Sequence, residues 1–322
     1  MSRARRRFGQ HFLTDRAVVE RVVAAFAPAP GQRIVEIGPG RGALTDALVA
    51  QIESAGGAAP AALTVVEIDR DLAKYLQHRH PRITVINADI LDFDLRDVPA
   101  AGDGDGDGDG GGDGAGDGDG AGDGDGAGDG DGDGDGAGDG DGDGDGAGDG
   151  DGDGDGAGNG VDNPRLRLIG NLPYNISTPL IFHLLAQVEC IADMQFMLQA
   201  EVARRLCAGP GGKNYGRLSV MAALKLDCDP LFEVPPAAFT PRPKVDSTVL
   251  RLTPKARPYQ ARDPRRLEAV VAAAFGQRRK TVRNALAGVA GPEHFNRAGI
   301  DPSLRAEKLS VADYIQLADA LG

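Results

Sequence analysis

The chain has 322 residues and a formal net charge of −13, which taken alone argues against a polyanionic partner such as nucleic acid. Most of the acid lies in one segment: residues 102–160 contain 31 Gly, 21 Asp, 6 Ala and 1 Asn with no Lys, Arg or Glu, so the other 263 residues carry a net charge of +8. The sequence has no run of about 18 apolar residues, the length that a membrane-spanning helix needs. The N-terminus also lacks the apolar stretch of a secretory signal. The three cysteines form no CxxC pair, so we expect a cytoplasmic protein without a metal site or a disulfide framework.

The acidic insert, taken as residues 102–158, is predicted to be disordered, because Asp-Gly repeats have no apolar surface to bury. A calcium-binding β-roll is the structured alternative. Its repeat needs a large apolar residue in each turn, and this segment has none. A solvated surface linker is therefore favoured, and a regulatory role stays open.

Strands and helices alternate on both sides of the insert, after an apolar helical stripe at 18–26. The predicted strands lie at 33–37, 63–68, 83–86, 166–169 and 194–198, and the predicted helices between them lie at 43–52, 70–78 and 177–188. This βαβα order predicts a parallel sheet with helices on both faces.

The end of the chain has a different pattern, in which a Pro-rich turn at 239–244 leads into an alternating strand at 245–252. Helical periodicity follows from about Arg262, again over 278–286, and finally over 311–321. We therefore divide the chain into an α/β domain formed by 1–101 and 159–254, the insert 102–158, and a small helical domain at 255–322.

Three successive strand ends carry residues suited to a nucleoside. A glycine-rich turn, with Gly38, Gly40 and Gly42, follows the first strand, although its spacing is one residue short of the dinucleotide signature. Glu67 ends the second strand, where a carboxylate can accept both ribose hydroxyls, and Asp89 follows the third, where it can accept from an adenine amine. A tight turn, a solvated carboxylate and a helix N-cap are the respective alternatives. Together the three positions indicate an adenosine-bearing ligand.

The fourth strand runs into the motif Asn171-Leu172-Pro173-Tyr174. The N6 amine of adenine is a poor nucleophile because its lone pair is delocalised into the ring. If the Asn171 side-chain oxygen and the Leu172 carbonyl both accept from this amine, the lone pair is directed at an electrophile, while Pro173 stiffens the turn and Tyr174 stacks on the base. An ordinary Asn-Pro turn is the alternative. A sulfonium methyl donor needs no general base, because positioning supplies most of the rate.

Four segments, at 8–13, 36–40, 171–175 and 241–247, closely resemble the small-subunit ribosomal RNA adenine N6,N6-dimethyltransferases (the KsgA family). The resemblance covers essentially the whole chain except the insert. It implies a Rossmann-like class I methyltransferase sheet with a small C-terminal all-helical domain, and S-adenosyl-L-methionine as cofactor. The implied reaction places two methyl groups on N6 of each of two adjacent adenosines near the 3′ end of 16S rRNA. The substrate would be the 30S subunit or its precursor, and we expect a monomer with no membrane or metal partner.

The resemblance also implies roles for single residues. The implied cofactor-binding residues are His11, Leu13, Gly38, Glu67, Asp89 and Asn171, and the implied catalytic residues are Asn171, Leu172, Pro173, Tyr174 and Phe239. Gly38 would pack against the methionine part of the cofactor, and Phe239 would stack on the target base opposite Tyr174, with a buried core aromatic as its alternative. His11 occupies a position that is often Asn in the family.

Basic clusters are the expected RNA contacts, since phosphates attract Lys and Arg. They are Arg5, Arg6 and Arg7 in an N-terminal arm, Lys244 near the active site, and Arg278, Arg279, Lys280 and Arg283 on a predicted helix. An ordinary solvated face is the alternative for any one cluster. For the whole protein the alternatives are a 23S rRNA adenine methyltransferase, a non-catalytic RNA-binding assembly factor and, more distantly, a nicotinamide dehydrogenase.

Overall fold

A computed structural model describes residues 11–56, 63–99 and 165–322. A seven-stranded sheet forms its centre, with strand order β4-β3-β2-β5-β6-β9-β7. Its strands are β2 (Arg33–Ile37), β3 (Leu63–Val66), β4 (Thr84–Ile86), β5 (Leu166–Asn171), β6 (Ile191–Gln199), β7 (Leu226–Val234) and β9 (Ser247–Pro254). The first five of these run parallel, and β9 joins β6 and β7 in antiparallel fashion. A separate antiparallel pair joins β1 (Phe12–Leu13) to β8 (Phe239–Thr240).

Both faces of the sheet are buried, as expected for parallel strands with crossover helices. Successive strand residues alternate between two apolar clusters: Val35 and Leu168 belong to one, whereas Ile34 and Ile169 belong to the other. The first cluster is completed by α4 (Ser177–Ala186), α5 (Ala200–Leu206) and α6 (Arg217–Lys225). The second is completed by α1 (Arg16–Phe26), α2 (Ala43–Ser54) and α3 (Arg70–Arg79).

The C-terminal segment is helical and forms a third apolar cluster. Its helices are α7 (Pro264–Gly276), α8 (Val282–Ala285), α9 (Pro292–Ala298) and α10 (Val311–Ala320). Residues of α6, Val220 and Leu224, join this cluster, so the helical segment packs on α6. Short 3₁₀ turns at Leu95–Asp97, Val188–Cys190, Pro236–Ala238 and Ala306–Lys308 complete the described elements. The division at 255 stays a prediction, and the insert at 102–158 lies outside the described residues.

Three sequence predictions need correction. The sheet is mixed rather than fully parallel, because β9 returns antiparallel beside β6. The last strand begins at Ser247 rather than at Val245, since 241–246 remains an irregular turn. The predicted helix over 278–286 is broken: α7 ends at Gly276, a turn follows, and α8 begins only at Val282. Arg279 and Arg283 therefore do not share one continuous helical face.

We did not predict helices α5 and α6 or strand β7. Their apolar residues pack against different neighbouring elements, so they follow no single helix or strand period. Within the described part of the chain, no helix is both long and apolar enough to cross a membrane.

Candidate functional site

A cavity opens at the carboxyl ends of β2, β3, β4 and β5, where ligands bind in open parallel sheets. Its empty volume is about 1060 Å³, including the part open to solvent. The cavity brings together nine of the ten predicted cofactor and catalytic positions, counting Asn171 once. These are His11, Leu13, Gly38, Glu67, Asp89, Asn171, Leu172, Pro173 and Tyr174, with Gly40 of the glycine turn beside them.

The glycine turn between β2 and α2 forms one wall. Gly38 has φ +65°, and a Cβ built there would meet nothing closer than Pro173 Cδ at 3.8 Å, so the backbone is open to the cavity. The Gly38 N–H donates to the Val66 carbonyl at 2.9 Å, which ties the turn to the end of β3. Gly42 has φ +83°, and its Cβ would lie 2.8 Å from Leu76 Cδ2, so the turn needs glycine for packing as well.

Glu67 is fixed at the cavity wall by two backbone donors. Its Oε2 accepts from the Gly40 N–H at 3.0 Å and its Oε1 accepts from the Asp69 N–H at 2.9 Å. Burial raises the pKa of this carboxyl, whereas the two N–H donors favour its charged form. Each carboxylate oxygen has a further lone pair, so the group can still accept from a ligand hydroxyl.

Asp89 follows β4 and lies on the same cavity wall. One of its oxygens accepts from the Leu91 N–H at 2.9 Å, which is a local turn bond rather than a cap of a helix. The second oxygen supplies acceptor capacity for a ligand. Nearby, Asn87 donates to the Glu67 carbonyl at 2.8 Å and joins the ends of β3 and β4.

Asn171 ends β5, and its side-chain orientation follows from its partner. The Asn171 Nδ2 donates to the His11 carbonyl oxygen at 3.0 Å. Because a carbonyl only accepts, the amide nitrogen must lie on that side and Oδ1 lies on the other. The next peptide is also fixed, since the Leu172 N–H donates to the Met197 carbonyl at 3.1 Å. The motif therefore holds a rigid acceptor at the cavity.

Tyr174 lies across the cavity rim, half buried. Its hydroxyl is hydrogen-bonded to the Ser247 hydroxyl at 2.9 Å, and its ring centroid lies 5.2 Å from that of His11 at an interplanar angle of 31°. Burial raises the pKa of the Tyr174 phenol above its usual value. Ser247 is fully buried at the start of β9. Sequence reasoning did not single out this Tyr174–Ser247 pair.

Glu36 also lines the cavity and was not predicted as a site residue. It is 1% exposed, and the Thr45 hydroxyl donates to its Oε2 at 2.6 Å. Burial raises the pKa of Glu36 to about 8, with smaller contributions from the nearby Glu67 and Asp46 carboxyls. An acid inside an otherwise apolar strand, directly before the glycine turn, was the available sequence signal.

The structure does not bring Phe239 to the cavity wall. Phe239 is 1% exposed and belongs to the same apolar cluster as Leu13, which it faces across the β1–β8 pair. Phe239 therefore packs in the core, as its alternative foresaw, and its stacking on a target base stays a prediction.

The basic residues occupy different environments. Lys244, Arg278, Arg279, Lys280 and Arg283 are all exposed, and Arg278 is also hydrogen-bonded to other groups of the chain. Arg278 donates to the Glu307 carboxylate at 3.3 Å, to the Tyr215 carbonyl at 3.1 Å and also to the Lys213 carbonyl. Arg5, Arg6 and Arg7 lie outside the described residues. Among residues 11–56, 63–99 and 165–322, no three His, Cys, Asp or Glu side chains are grouped to hold a metal ion.

Comparison with known proteins gives a consistent picture. The family model described as ribosomal RNA adenine dimethylase matches residues 1–322. The ribosomal RNA small subunit methyltransferase A of Methylococcus capsulatus is 42% identical over 320 residues, covering 98% of this chain and 97% of that protein. The Salmonella typhimurium protein of the same description is 40% identical over 322 residues, covering 99% and 93%.

Two solved structures share the fold. A dimethyladenosine transferase from Plasmodium falciparum superimposes with a TM-score of 0.63 at 17% identity, covering 95% of this chain and 96% of that one. The 23S rRNA methyltransferase ErmE superimposes with a TM-score of 0.57 at 21% identity, covering 96% and 99%. At 17% and 21% identity, these two likenesses establish the fold and do not select a substrate.

Proposed function

Since this chain belongs to the ribosomal RNA adenine dimethylase family, we propose that its cavity binds S-adenosyl-L-methionine next to an adenosine of 16S rRNA. The chain is an rRNA adenine N6,N6-dimethyltransferase, as its family and its small-subunit relatives indicate. One observation carries the site assignment: a single cavity is lined both by the strand-end residues suited to a nucleoside and by the Asn-Leu-Pro-Tyr loop.

The acceptor groups that line the cavity suit the hydroxyl and amine donors of S-adenosyl-L-methionine. Glu67, pinned by two backbone N–H groups, offers acceptors for ribose hydroxyls, and Asp89 offers one for the adenine amine. Ile68 is 45% exposed on the same wall, which gives the adenine an apolar face. The open backbone at Gly38 leaves room for the methionine part. When bound, the cofactor supplies a methyl group activated by a sulfonium.

The chain's own contribution is to orient the target amine. Asn171 Oδ1 is left free to accept from N6 because Nδ2 is committed to the His11 carbonyl. A second acceptor, the Leu172 carbonyl, follows in a peptide whose N–H is held by β6. Tyr174 supplies the stacking surface, fixed by Ser247. Holding the amine in a reactive orientation converts the transfer into an effectively intramolecular step, which can supply most of the acceleration.

The RNA would be held by the exposed cations. Lys244 lies in the turn that leads to Ser247, the hydrogen-bond partner of Tyr174, and Arg279, Lys280 and Arg283 lie on the helical segment. We include the N-terminal arm with Arg5, Arg6 and Arg7 on sequence grounds alone. We expect a monomer, and assembling 30S subunits in the cytoplasm are the proposed substrate.

Mapping of methylated adenosines by mass spectrometry tests this proposal. The full chain is incubated with labelled S-adenosyl-L-methionine and with unmethylated 30S or 50S particles. Dimethyladenosine should appear at two adjacent positions near the 3′ end of 16S rRNA, and 23S rRNA should stay unmodified. Methylation of 23S rRNA would favour the large-subunit alternative, and no transfer to either particle would favour a non-catalytic assembly factor.

A further inference from the structure

A second cavity lies beside the start of β9, outside the site described above. Its empty volume is about 1100 Å³, including the part open to solvent. The end of α5, residues of the loop 208–214, residues 230–233 of β7 and Thr248 line it. Successive strand residues point to opposite faces, and Ser247, the residue before Thr248, bonds the Tyr174 hydroxyl. This pair of residues therefore joins the two cavities.

The strand wall of the second cavity is apolar and contains a β-bulge. The register of β7 on β9 passes from Pro230 to Phe232 and leaves Leu231 without a partner in the ladder. A bulge of this kind turns a side chain out of the regular alternation and is common next to binding sites. Leu231 is 36% exposed and lines the cavity, so its side chain offers an apolar surface for the flat face of a base.

Two cations line the same cavity, Arg204 near the end of α5 and Lys213 in the loop. Both are exposed, and neither forms an ion pair with any carboxylate of residues 11–56, 63–99 and 165–322. Glu233 is the single carboxylate among the lining residues, so the lining side chains carry a net charge of +1. An apolar wall beside uncompensated cations suits a nucleotide, whose base is flat and apolar and whose phosphate is an anion.

The loop 208–214 opens the cavity and connects it to the C-terminal helical segment. A Cβ built at Gly209 would meet nothing within 4 Å, so the backbone there can be approached closely. Arg278 donates to the Lys213 carbonyl, and the exposed cations at 279–280 follow it directly. The second cavity is therefore joined by direct contacts to the Tyr174 loop on one side and to these cations on the other.

We propose that the second cavity binds one unpaired nucleotide of the rRNA strand, a nucleotide that flanks the target adenosine. Its base contacts Leu231 and its phosphate contacts Arg204 and Lys213, while the adenosine itself lies beside Tyr174. This inference rests on the proposed function and extends it. The reaction acts on two adjacent adenosines, so a second nucleotide subsite keeps the strand bound while either adenosine occupies the first cavity.

Three single variants test the two halves of this contact. Leu231→Ala removes the apolar surface, and Arg204→Ala and Lys213→Ala each remove one cation. We expect the KM for 30S particles to rise about three- to tenfold in each variant, the loss that one apolar or one charged contact produces. The kcat and the affinity for S-adenosyl-L-methionine should change less than about twofold. The salt dependence of KM should lose about one phosphate contact in the two cation variants and stay native in Leu231→Ala.

Lys74→Ala and Leu304→Ala are the matched controls. Lys74 is an exposed cation of α3, and Leu304 is 38% exposed, close to the value for Leu231, but neither lines the second cavity. Both should keep the native KM. Each full-length variant is assayed by labelled methyl transfer to 30S particles at several salt concentrations. Cofactor affinity is measured separately by calorimetry, and folding is checked by circular dichroism.

Photo-crosslinking locates the bound nucleotide directly. The full chain with p-benzoylphenylalanine in place of Leu231 is irradiated on unmethylated 30S particles, and reverse transcription maps the crosslinks in 16S rRNA. They should fall on nucleotides that flank the two methylated adenosines. The same group in place of Leu304 should give no crosslink at those nucleotides.

The outcomes are distinct. A raised KM in all three cavity variants, together with a crosslink at a flanking nucleotide, supports the subsite, and the crosslink decides even if one variant does not fold. A native KM in any of the three, equal losses in Leu231→Ala and Leu304→Ala, or crosslinks only elsewhere in the particle would overturn it. No transfer by the native chain would overturn the proposed function together with this inference. Transfer by the native chain with a native KM in the cavity variants would overturn the inference alone.

Discussion

Replacement of Glu36 by Gln should remove a large pH dependence of stability. Glu36 is 1% exposed, and burial raises the pKa of its carboxyl from 4.5 to about 8. Gln has nearly the same size, and its oxygen can accept the 2.6 Å hydrogen bond from the Thr45 hydroxyl. The substitution therefore changes the titration of this site with little change in packing.

The sign follows from proton linkage. Between pH 4.5 and about 8, the folded chain binds a proton on Glu36 that the unfolded chain has released. The contribution of Glu36 to the free energy of unfolding is fully present below pH 4.5 and declines as the pH rises towards 8. The limiting slope is about 1.4 kcal/mol per pH unit, so the native chain should lose about 2–3 kcal/mol from this group between pH 5 and pH 7.

Urea unfolding followed by circular dichroism at pH 5 and pH 7 measures this difference. Other titrating groups are common to both proteins, so the free energy of unfolding of Glu36→Gln minus that of the native chain should rise by about 2–3 kcal/mol over this range. Glu201→Gln, at an exposed position of α5, is the control and should parallel the native chain. If the free energy of unfolding changed equally in Glu36→Gln and the native chain between pH 5 and pH 7, a buried, neutral Glu36 would be refuted.

Three further predictions concern the reaction and the RNA. Asn171→Ala should lower methyl transfer to 30S particles at least tenfold and keep cofactor affinity within a few-fold, because it removes an acceptor for the amine while Glu67 and Asp89 remain. Arg279→Ala should reduce the salt dependence of RNA binding by about one phosphate contact. Arg278→Ala should instead lower the free energy of unfolding by about 1 kcal/mol, because Arg278 bonds Glu307 and two carbonyls. Deletion of residues 102–158, which removes 21 negative charges from a chain whose other residues sum to +8, should tighten RNA affinity at low salt and not at high salt.

Each of these has a clear contrary result. Unchanged turnover in Asn171→Ala would remove Asn171 from the chemistry. A salt slope lowered equally by Arg278→Ala and Arg279→Ala, measured by filter binding, would mean that Arg278 also contacts phosphate. An unchanged affinity after deletion of 102–158 would leave the insert as a passive spacer.

Local pattern in the sequence was sufficient for the main architecture. The alternation of β-branched runs with helical stripes predicted five strands of the sheet, and the strand-end positions of Gly38, Glu67, Asp89 and Asn171 predicted the cavity, because parallel strands present their carboxyl ends at one edge. Apolar periodicity was insufficient to give the bounds of an element that packs against two neighbouring elements. It joined 278–286 into one helix, although α7 ends at Gly276 and Arg278, which bonds Glu307, lies in the turn before α8.

The sequence by itself therefore determined the fold class, the basic character of the body apart from the insert, and the residue types around the cavity, because each of these depends on composition or on short-range spacing. Tertiary structure alone decided which way Asn171 points, that Glu36 is buried, that Phe239 packs in the core, and that Arg278 is used internally. These features depend on contacts between distant segments, such as the Asn171–His11 bond across 160 residues. Short-range periodicity carries no information about which distant partner a side chain meets.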